Sequence, residues 1–555
     1  MEESRFKKWC FGAIVLLSIM VYANTFNGDW VWDDASSVLL HKHVQDPGKL
    51  TQLFKEDQHA FGQGQGNFYR PLLSVTFMID FLLSHDPVVD GVEKGLPVIK
   101  PFVFHLSSMI WHCAAALLLF AFMSRCGAPQ WVRAAVPLLW VVHPLHTEAV
   151  AYISGRADMM SGAFIFGGLS LALCPTDNRK HILLWGLALL CFISGLLSKE
   201  SAMIFPALLF LCLLLGAGRT KDAPKSGYRW VPLLLSGIVL GGYGYLRSSV
   251  LSFADSTAAT SPPFVERLFE TGQAFAFYLK VLFIPTHLHM EQSLVGVPDW
   301  TAWLGFAGIA FFILLFIVAW RAKQHRLALA SGWFLLSWLP ISGLFPLNAP
   351  MAEHWMYVPM AGFWWALAEI AVLLGENKPV VYLRTAAVYG LCVLFVVLSI
   401  QRNADWDSNE RLFRSTIAEN PNSMRVHHNL AVSYSDILKN EAGAQRHYQR
   451  VLDLQGPVQS GRMSLQQVDV YSSLGRSYFA QKNYAKALYY FAPLTTIQPD
   501  SDQNKSTVYE AAYNSGLSML ALGDLNLASR YFGLVEQLAP QMKPNIKALM
   551  LGAPL

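Results

Sequence analysis

Charged residues are scarce in this chain of 555 residues: Asp, Glu, Lys and Arg together make up 14%, whereas hydrophobic residues make up 53%. Soluble domains carry about 25% charged residues, so this composition excludes that class and favours a membrane protein. The Lys and Arg residues lie in short groups between apolar runs, without a basic face interleaved with aromatics. We therefore predict an integral membrane protein with no nucleic-acid partner.

Cysteine is also rare, and the few that occur are not arranged for chemistry. The seven cysteines lie in or beside apolar runs and show none of the paired spacings that zinc sites use. The sequence therefore predicts neither a disulfide framework nor a cysteine metal site.

Eleven apolar runs are long enough to cross about 30 Å of hydrocarbon. They lie at residues 9–26, 101–123, 131–150, 157–174, 181–198, 201–217, 229–248, 300–320, 328–346, 355–374 and 380–400. Arg5, Lys7 and Lys8 predict a cytoplasmic N-terminus, so the first outer loop, 27–100, faces the other side. Segment 262–290 is apolar too, but counting it would place the last two basic clusters outside, so we interpret it as re-entrant or interfacial. Residues 1–400 thus form the predicted membrane domain.

A helical repeat replaces the apolar runs after residue 400. Its best copy carries Tyr471, Leu474, Gly475, Tyr478, Ala487, Phe491 and Pro499 at the spacing of a tetratricopeptide repeat. We predict a linker over 401–424 and about three repeats over 425–555. An odd number of spans puts this α-solenoid on the same face as the first outer loop. It is either a packing cap or a concave surface that holds a peptide or a partner.

Two adjacent carboxylates, Asp33 and Asp34, follow the first apolar run directly. A charge in hydrocarbon costs about 2.5–3.5 kcal/mol even on lenient scales, so an acidic pair at a membrane boundary is a candidate site. The alternative is that the pair only marks the end of the span and starts a turn.

Further polar residues recur at the predicted outer ends of the later spans. In chain order they are Arg70, His143, His146, Glu148, Arg156, Asp158, Lys199, Glu200, Glu353 and His354. Imidazole and carboxylate suit divalent cations, yet His143, His146 and Glu148 lack the helical i, i+4 pair of a metal site, so we predict no metal. Arg156, near a helix start, is interpreted as a phosphate or carboxylate contact.

Two of these positions have alternative interpretations. Arg70 precedes a proline that starts a helix, and it is either an anion contact or an interfacial anchor. Lys199 and Glu200 form either a self-neutralising pair or, through Lys199, a contact to an anionic ligand.

Several of these residues belong to short motifs that follow one another in a characteristic order. The motifs are Trp32-Asp33-Asp34, Tyr69-Arg70-Pro71-Leu72, His143-Pro144-Leu145-His146-Thr147-Glu148-Ala149-Val150, Gly155-Arg156-Ala157-Asp158, Ser198-Lys199-Glu200, Glu353-His354-Trp355-Met356-Tyr357-Val358-Pro359 and Arg402-Asn403-Ala404-Asp405-Trp406. Followed by the repeats, they resemble the TMTC family of transmembrane and tetratricopeptide-repeat O-mannosyltransferases. The chain departs from that family in its short repeat domain, as in a bacterial-type member, and in His354, where arginine is usual.

The resemblance implies an all-α polytopic membrane fold of the GT-C class with about eleven spans, followed by the repeat solenoid. It also implies an inverting transfer of a hexose, most simply mannose, from a polyprenyl phosphate of the dolichyl-phosphate type to a protein or peptide hydroxyl. The donor and the surrounding membrane lipid are then partners, and the repeats are expected to hold the acceptor. No cofactor and no divalent metal are expected.

The same resemblance assigns roles to the outer residues. Asp33 is the expected general base, and Asp34 orients it or binds the acceptor. The donor phosphate is assigned to Arg156, Arg70 and Lys199, in falling order. The sugar pocket is assigned to His143, His146, Glu148, Asp158, Glu200, Glu353 and His354.

A non-catalytic alternative is a membrane-anchored scaffold whose repeats recruit partners. The clustering of polar residues at one membrane boundary favours the enzyme. The compartment has two interpretations, a bacterial inner membrane with a periplasmic site and repeats, or an endoplasmic-reticulum membrane with a lumenal face.

Overall fold

The computed structural model describes residues 2–61, 68–84, 99–174, 178–218, 230–251, 263–347, 349–456 and 463–551. All regular elements that it describes are helices, as the predicted all-α class requires. The chain divides into two compact units, Met1–Leu412, called unit 1, and Phe413–Leu555, called unit 2.

Unit 1 is built mainly from apolar helices. Its described α-helices are α1 (Glu3–Tyr22), α2 (Pro71–Ser84), α3 (Phe102–Arg125), α4 (Gln130–Val141), α5 (Thr147–Ala151), α6 (Arg156–Ala172), α7 (Asn178–Ser198), α8 (Phe205–Leu214), α9 (Val231–Val250), α10 (Phe264–Phe283), α11 (Trp300–Arg321), α12 (His325–Trp338), α13 (Pro359–Leu373) and α14 (Lys378–Asp405). Single 3₁₀ turns precede or follow many of them. Those that bear on the site are Pro144–His146, Ile153–Gly155, Glu200–Ile204 and Glu353–Met356.

Each of the eleven predicted spans contains one of these helices, but the helices differ in length. Five described helical segments are long and apolar enough to cross a membrane: Glu3–Asn27, Phe102–Arg125, Lys180–Ser198, Trp300–Arg321 and Lys378–Asp405. The run 131–150 is not one helix, since α4 ends at Val141 and His143 caps the next turn by accepting the Leu145 N–H. These described segments support a membrane protein, and the total of eleven crossings stays a prediction.

The segment interpreted as re-entrant or interfacial, 262–290, contains α10, which lies outside the five long apolar segments. Gly272 of α10 and Gly305 of α11 bring the two helix backbones into contact, and a methyl group on either glycine would clash with the opposite backbone. The close packing of α10 against α11 is therefore specified by small residues, and its orientation in the membrane stays a prediction.

An aromatic cluster at the centre of unit 1 holds two site-bearing turns together. Trp140 of α4 packs against His146 and Tyr357, with ring centroids 4.4 and 4.7 Å away. The Trp140 indole N–H donates to the Tyr357 carbonyl at 3.0 Å, and His112 hydrogen-bonds to the Tyr357 hydroxyl at 2.8 Å. All four side chains are almost fully buried. This packing positions the turn Pro144–His146 beside the segment that follows Glu353–Met356.

Unit 2 consists of successive helix pairs. Its described helices are α16 (Met424–Val432), α17 (Glu441–Gln455), α18 (Leu465–Ala480), α19 (Tyr484–Leu494), α20 (Asp502–Ala521), α21 (Leu525–Leu538) and α22 (Lys543–Met550), and α15 (Asn409–Glu419) crosses the unit boundary. The residues predicted as a linker, 401–424, thus hold the end of α14 and all of α15. The pairs α16–α17, α18–α19 and α20–α21 lie where three repeats are predicted.

In two of these helix pairs, the two helices meet at the same kind of contact, a glycine against a phenylalanine ring. A Cβ atom on Gly475 would lie 2.6 Å from the Phe491 ring, and one on Gly516 would lie 2.6 Å from the Phe532 ring. Both phenylalanines are fully buried. Glycine is therefore required where the two helices of each pair approach, which is the packing that the repeat spacing predicts. The tetratricopeptide assignment itself stays a prediction.

Candidate functional site

Asp34 is fully buried and joins the first loop to the segment before α6. One carboxylate oxygen accepts both the Ser154 N–H, at 2.9 Å, and the Ser154 hydroxyl, at 2.7 Å, while the other accepts the Val31 N–H at 3.1 Å. Burial raises the pKa of Asp34 to about 7, although these hydrogen bonds oppose the shift. Its oxygens are therefore occupied by the protein, and near neutral pH the carboxyl is partly protonated.

Asp33 is partly exposed and lies beside an aromatic stack. Burial and the carboxylates of Asp33 and Asp34 raise the pKa of Tyr152 well above its usual range, so the Tyr152 hydroxyl stays protonated and donates to Asp33. The Tyr152 ring stacks between Trp32 and Trp406, at centroid distances of 5.6 and 5.4 Å. Trp32 has a φ of +51°, a left-handed conformation that is rare for a bulky residue. The loop that carries the acidic pair is thus held in one specific shape.

Arg156 is fully buried at the start of α6 and is surrounded by protein partners. Its guanidinium forms an ion pair with Asp80 of α2 at 2.5 Å and donates to the Ser108 hydroxyl and the Phe104 carbonyl of α3. It also lies 4.8 Å from the centroid of the Phe77 ring. In this arrangement Arg156 fastens α2 and α3 to α6.

The other two predicted phosphate cations lie next to each other in a set of four charges, Arg70, Asp158, Lys199 and Glu200, called the first ion cluster. Arg70 makes a two-pronged contact with Glu200, with N–O distances of 2.7 and 3.0 Å. Lys199 contacts both oxygens of Asp158 at 2.7 Å. Burial alone would raise the pKa of Glu200, but the adjacent Arg70 outweighs it and lowers that pKa to about 2. The cluster is therefore two cations neutralised by two carboxylates.

A second set, Glu148, Glu353, His354 and Arg402, is called the second ion cluster. His354 approaches Glu148 through its ring at 3.0 Å and through its backbone N–H at 2.9 Å. Arg402 of α14 pairs with the fully buried Glu353 at 3.3 Å. Burial raises the pKa of Glu353, with Glu148 acting in the same direction and Arg402 opposing it. Position 354, where the resembling family carries arginine, is thus the direct partner of a buried glutamate.

The two predicted histidines lie in the packed interior. His143 is fully buried, contacts the Leu282 carbonyl at 3.1 Å through Nε2 and packs on Phe395. His146 is fully buried within the aromatic cluster, and neither ring nitrogen has a hydrogen-bond partner among the residues that the structure describes. Among the described residues, no group of three His, Cys, Asp or Glu side chains is placed to hold a metal ion.

A cavity of about 200 Å³ opens beside this site, within unit 1. Its lining includes His105, Asn403 and Trp406, each at most 3% exposed. Among the described residues, the Asn403 amide oxygen and the Trp406 indole nitrogen have no hydrogen-bond partner. Because buried polar atoms without partners are costly, these atoms are suited to a polar ligand or ordered water. Trp406 also stacks on Tyr152, which connects the cavity to the surroundings of Asp33.

Sequence reasoning missed several of the partners that define this geometry, namely Asp80, Tyr152, Ser154, His105 and Arg402 in its role as an ion-pair partner. Asp80 carried a usable signal, since it is the lone acid in the apolar run of α2 and such a residue needs a buried cation. The contacts of Ser154 and His105 join segments far apart in the chain, and no local pattern marks them.

Comparison with curated proteins finds relatives over most of the chain. Mouse "Protein O-mannosyl-transferase TMTC4" is 24% identical over 505 residues, covering 79% of this chain and 66% of the relative. "Protein O-mannosyl-transferase F38B6.6" of Caenorhabditis elegans is 25% identical over 445 residues, covering 76% and 59%. Mouse "Protein O-mannosyl-transferase TMTC3" is 24% identical over 578 residues, covering 96% and 55%.

The chain thus spans between 55 and 66% of the length of these three relatives. No family model matches the chain, and no solved structure matches it.

Proposed function

From the similarity to TMTC-family proteins, which confirms the resemblance seen in the motifs, we propose that this chain is a membrane protein O-mannosyltransferase. The proposed donor is mannose on a polyprenyl phosphate of the dolichyl-phosphate type, and the proposed acceptor is a hydroxyl of a protein or peptide. The observation that carries the proposal is the Asp33–Asp34 pair at the end of the first apolar segment, in a chain with these relatives. The proposed reaction uses no metal and no cofactor.

We assign the general base to Asp33. A base needs an oxygen that can reach the acceptor hydroxyl, and Asp33 is partly exposed, whereas Asp34 is buried with both oxygens engaged. Asp34 acts as a positioning residue that holds the loop against Ser154. Since burial favours the protonated form of Asp34, the charge on Asp33 meets less repulsion than in a pair of ionised carboxylates.

The proposed step is a direct displacement at the anomeric carbon. The acceptor oxygen forms a bond to this carbon as the bond from the carbon to the phosphate oxygen breaks. The acceptor proton moves to Asp33, and the bonding electron pair leaves with the lipid phosphate, so the configuration of the sugar is inverted. Fixed cations near the phosphate stabilise the charge that develops on the leaving group.

For these cations we propose Arg70 and Lys199 ahead of Arg156. The side chains of Arg70 and Lys199 are 12% and 9% exposed, while that of Arg156 is fully buried and directed at Asp80. Before the donor binds, Glu200 neutralises Arg70 and Asp158 neutralises Lys199. A phosphate with its larger charge would compete for the same N–H groups.

The sugar pocket is proposed from the remaining polar groups. Glu148, Glu353 and His354 of the second ion cluster supply polar hydrogen-bonding groups, and the cavity lined by Asn403 and Trp406 supplies groups without partners among the described residues. We assign His143 and His146 to the packing that positions these groups. The proposed site faces the outer side of the membrane, which is the periplasm or the lumen of the endoplasmic reticulum.

The test is transfer of radiolabelled mannose from a short-chain polyprenyl phosphate to a protein extract by the purified chain in lipid nanodiscs. Asp33→Asn should lower the rate by roughly 10²–10⁴-fold, since the carboxamide keeps the shape and cannot take the proton. Binding of the donor, measured as thermal stabilisation, should be retained.

The matched control is Asp29→Asn, an exposed acid of the same segment whose carboxylate contacts only the neighbouring Trp30 N–H in the described structure. Its activity should equal that of the wild type. Equal rates for Asp33→Asn and wild type would remove Asp33 from the role of base. Absence of both transfer and donor stabilisation in the wild type would favour the scaffold alternative.

A further inference from the structure

Unit 2 contains a basic cavity of about 480 Å³ between α15, α16 and α17. Pockets for ligands typically measure about 300–1,000 Å³, so its size is that of a binding site rather than a packing defect. The residues that line it are Arg414, Ile417, Pro421, His427, Tyr434, Arg446, His447 and Arg450. They comprise three arginines and two histidines, and none of these lining residues is Asp or Glu.

Two of the arginines have no carboxylate partner in the part of the chain that the structure describes. Arg446 donates only to the carbonyl of Ala442 in its own helix, at 3.3 Å, and Arg450 donates to the side chain of Asn422 at 2.9 Å. They stand four residues apart on α17, a spacing at which like charges repel each other and destabilise a helix. Elsewhere in unit 2, the exposed Arg476 forms an ion pair with Glu510 at 3.0 Å. Arg446 and Arg450 differ from it in having no such carboxylate among the described residues.

The remaining lining groups present further donors and an apolar wall. Arg414 is held by the Tyr434 hydroxyl, which accepts from two of its nitrogens at 2.9 and 2.6 Å. His427 and His447 stack and hydrogen-bond through their Nδ1 atoms at 2.8 Å. Burial, the adjacent His427 and the guanidinium groups of Arg446 and Arg414 lower the pKa of His447 to about 4.

We propose that this cavity binds an acidic segment of a partner protein, with Arg446 and Arg450 receiving its Asp or Glu carboxylates. Guanidinium groups bind carboxylates through two parallel hydrogen bonds, which gives both affinity and orientation. The concave shape between three helices, with Ile417, Pro421 and Tyr434 on its wall, fits side chains of an extended peptide better than a flat membrane surface. This inference goes beyond mannosyl transfer and holds independently of it.

The experiment measures peptide binding by fluorescence anisotropy, using the full chain in nanodiscs of neutral phosphatidylcholine and no sugar donor. The probe is a short fluorescent peptide of Glu, Asp, Gly and Ser, beside a matched peptide in which Gln and Asn replace the acids. Wild type should bind the acidic peptide roughly tenfold more tightly than the amide peptide, and this preference should weaken as salt rises.

The double variant Arg446→Gln/Arg450→Gln should lose the preference, whereas Arg476→Gln should keep it. The double variant Arg446→Lys/Arg450→Lys keeps the positive charge but cannot form two parallel hydrogen bonds to one carboxylate, so it should retain part of the affinity. It provides a second test of the proposal if the glutamine variant folds poorly. No preference in the wild type, or a preference unchanged in both double variants, would overturn the proposal. The proposal would also be overturned if phosphatidylglycerol vesicles displaced the peptide and this displacement required Arg446 and Arg450. The cavity would then be a lipid-binding site.

Discussion

The two units differ in how their charged side chains are paired. In unit 1 the pairs Arg156–Asp80 and Lys199–Asp158 are less than 10% exposed, and every one of these charges has an opposite partner. In unit 2 Arg446 and Arg450 border a cavity without a carboxylate partner in the described structure. A low-dielectric interior tolerates a charge only when it is paired, whereas a water-exposed surface can leave charges available for a ligand. The two units thus differ in whether their charged side chains already have an opposite partner in the described structure.

The largest effect is expected where the pairing is most deeply buried. Arg156→Met should destabilise unit 1 by about 3–5 kcal/mol, because it leaves the Asp80 carboxylate buried without its cation. Thermal unfolding in detergent measures the loss. The double variant Arg156→Met/Asp80→Leu removes both charges and should recover most of the stability. A single variant as stable as wild type would show that Arg156 is available for another role, such as a phosphate contact.

Asp34→Asn should have the next largest effect, a loss of about 1–3 kcal/mol, since the amide nitrogen cannot accept a hydrogen bond from Ser154 or Val31. Because burial raises the Asp34 pKa from 3.8 to about 7, the folded state holds this proton at a pH where the unfolded chain has lost it. The contribution of Asp34 to stability therefore falls as pH rises from 3.8 to about 7. Melting temperatures across this range should show that slope in wild type and a smaller slope in the variant.

The stabilising contribution of the Arg70–Glu200 pair should change with pH in the opposite direction to that of Asp34. The Glu200 pKa is lowered from 4.5 to about 2, so its stabilising contribution is present above 4.5 and is lost as pH falls toward 2. A double-mutant cycle with Arg70→Gln and Glu200→Gln should give a coupling of about 1 kcal/mol, since both side chains keep some contact with water. A coupling near zero would mean that the pair is already open in solution.

The smallest effect is expected in unit 2. Arg450→Gln should change the free energy of unfolding by less than about 0.5 kcal/mol, because the arginine has no ion-pair partner among the described residues and remains partly exposed. Chemical denaturation of the full chain, followed by circular dichroism, compares it with Arg156→Met. A loss comparable to that of Arg156→Met would remove the contrast between the two units.

The apolar runs, the repeat spacing and the family resemblance predict the all-α class, which the described helices confirm. The ion-pair partners of the charged residues could not be predicted from the sequence in the same way. The helix start predicts a phosphate or carboxylate contact for Arg156, and in the structure the carboxylate is Asp80 of α2, a partner that the local sequence does not identify. Lys199 and Glu200 are adjacent in sequence but pair with Asp158 and Arg70, respectively, instead of with each other. Such choices depend on how helices meet, which a local pattern does not contain.

The lengths of the membrane segments show the same limit. Apolar runs predict that a helix is present, and each run does contain one. They do not predict where the helix ends, which depends on caps and prolines such as His143 and Pro144 after α4. A mainly apolar run such as 131–150 can therefore fold as a short helix followed by a tight turn that carries polar side chains.

The identical closing contacts of Gly475 with Phe491 and of Gly516 with Phe532 have a consequence for how this part of the protein can evolve. Each helix pair carries its own glycine and its own phenylalanine, so a pair can be duplicated or deleted as a whole without a compensating change in its neighbours. The number of such pairs is then free to vary by in-frame exchange of whole pairs, and selection can change the length of unit 2 while leaving the helices of unit 1 untouched.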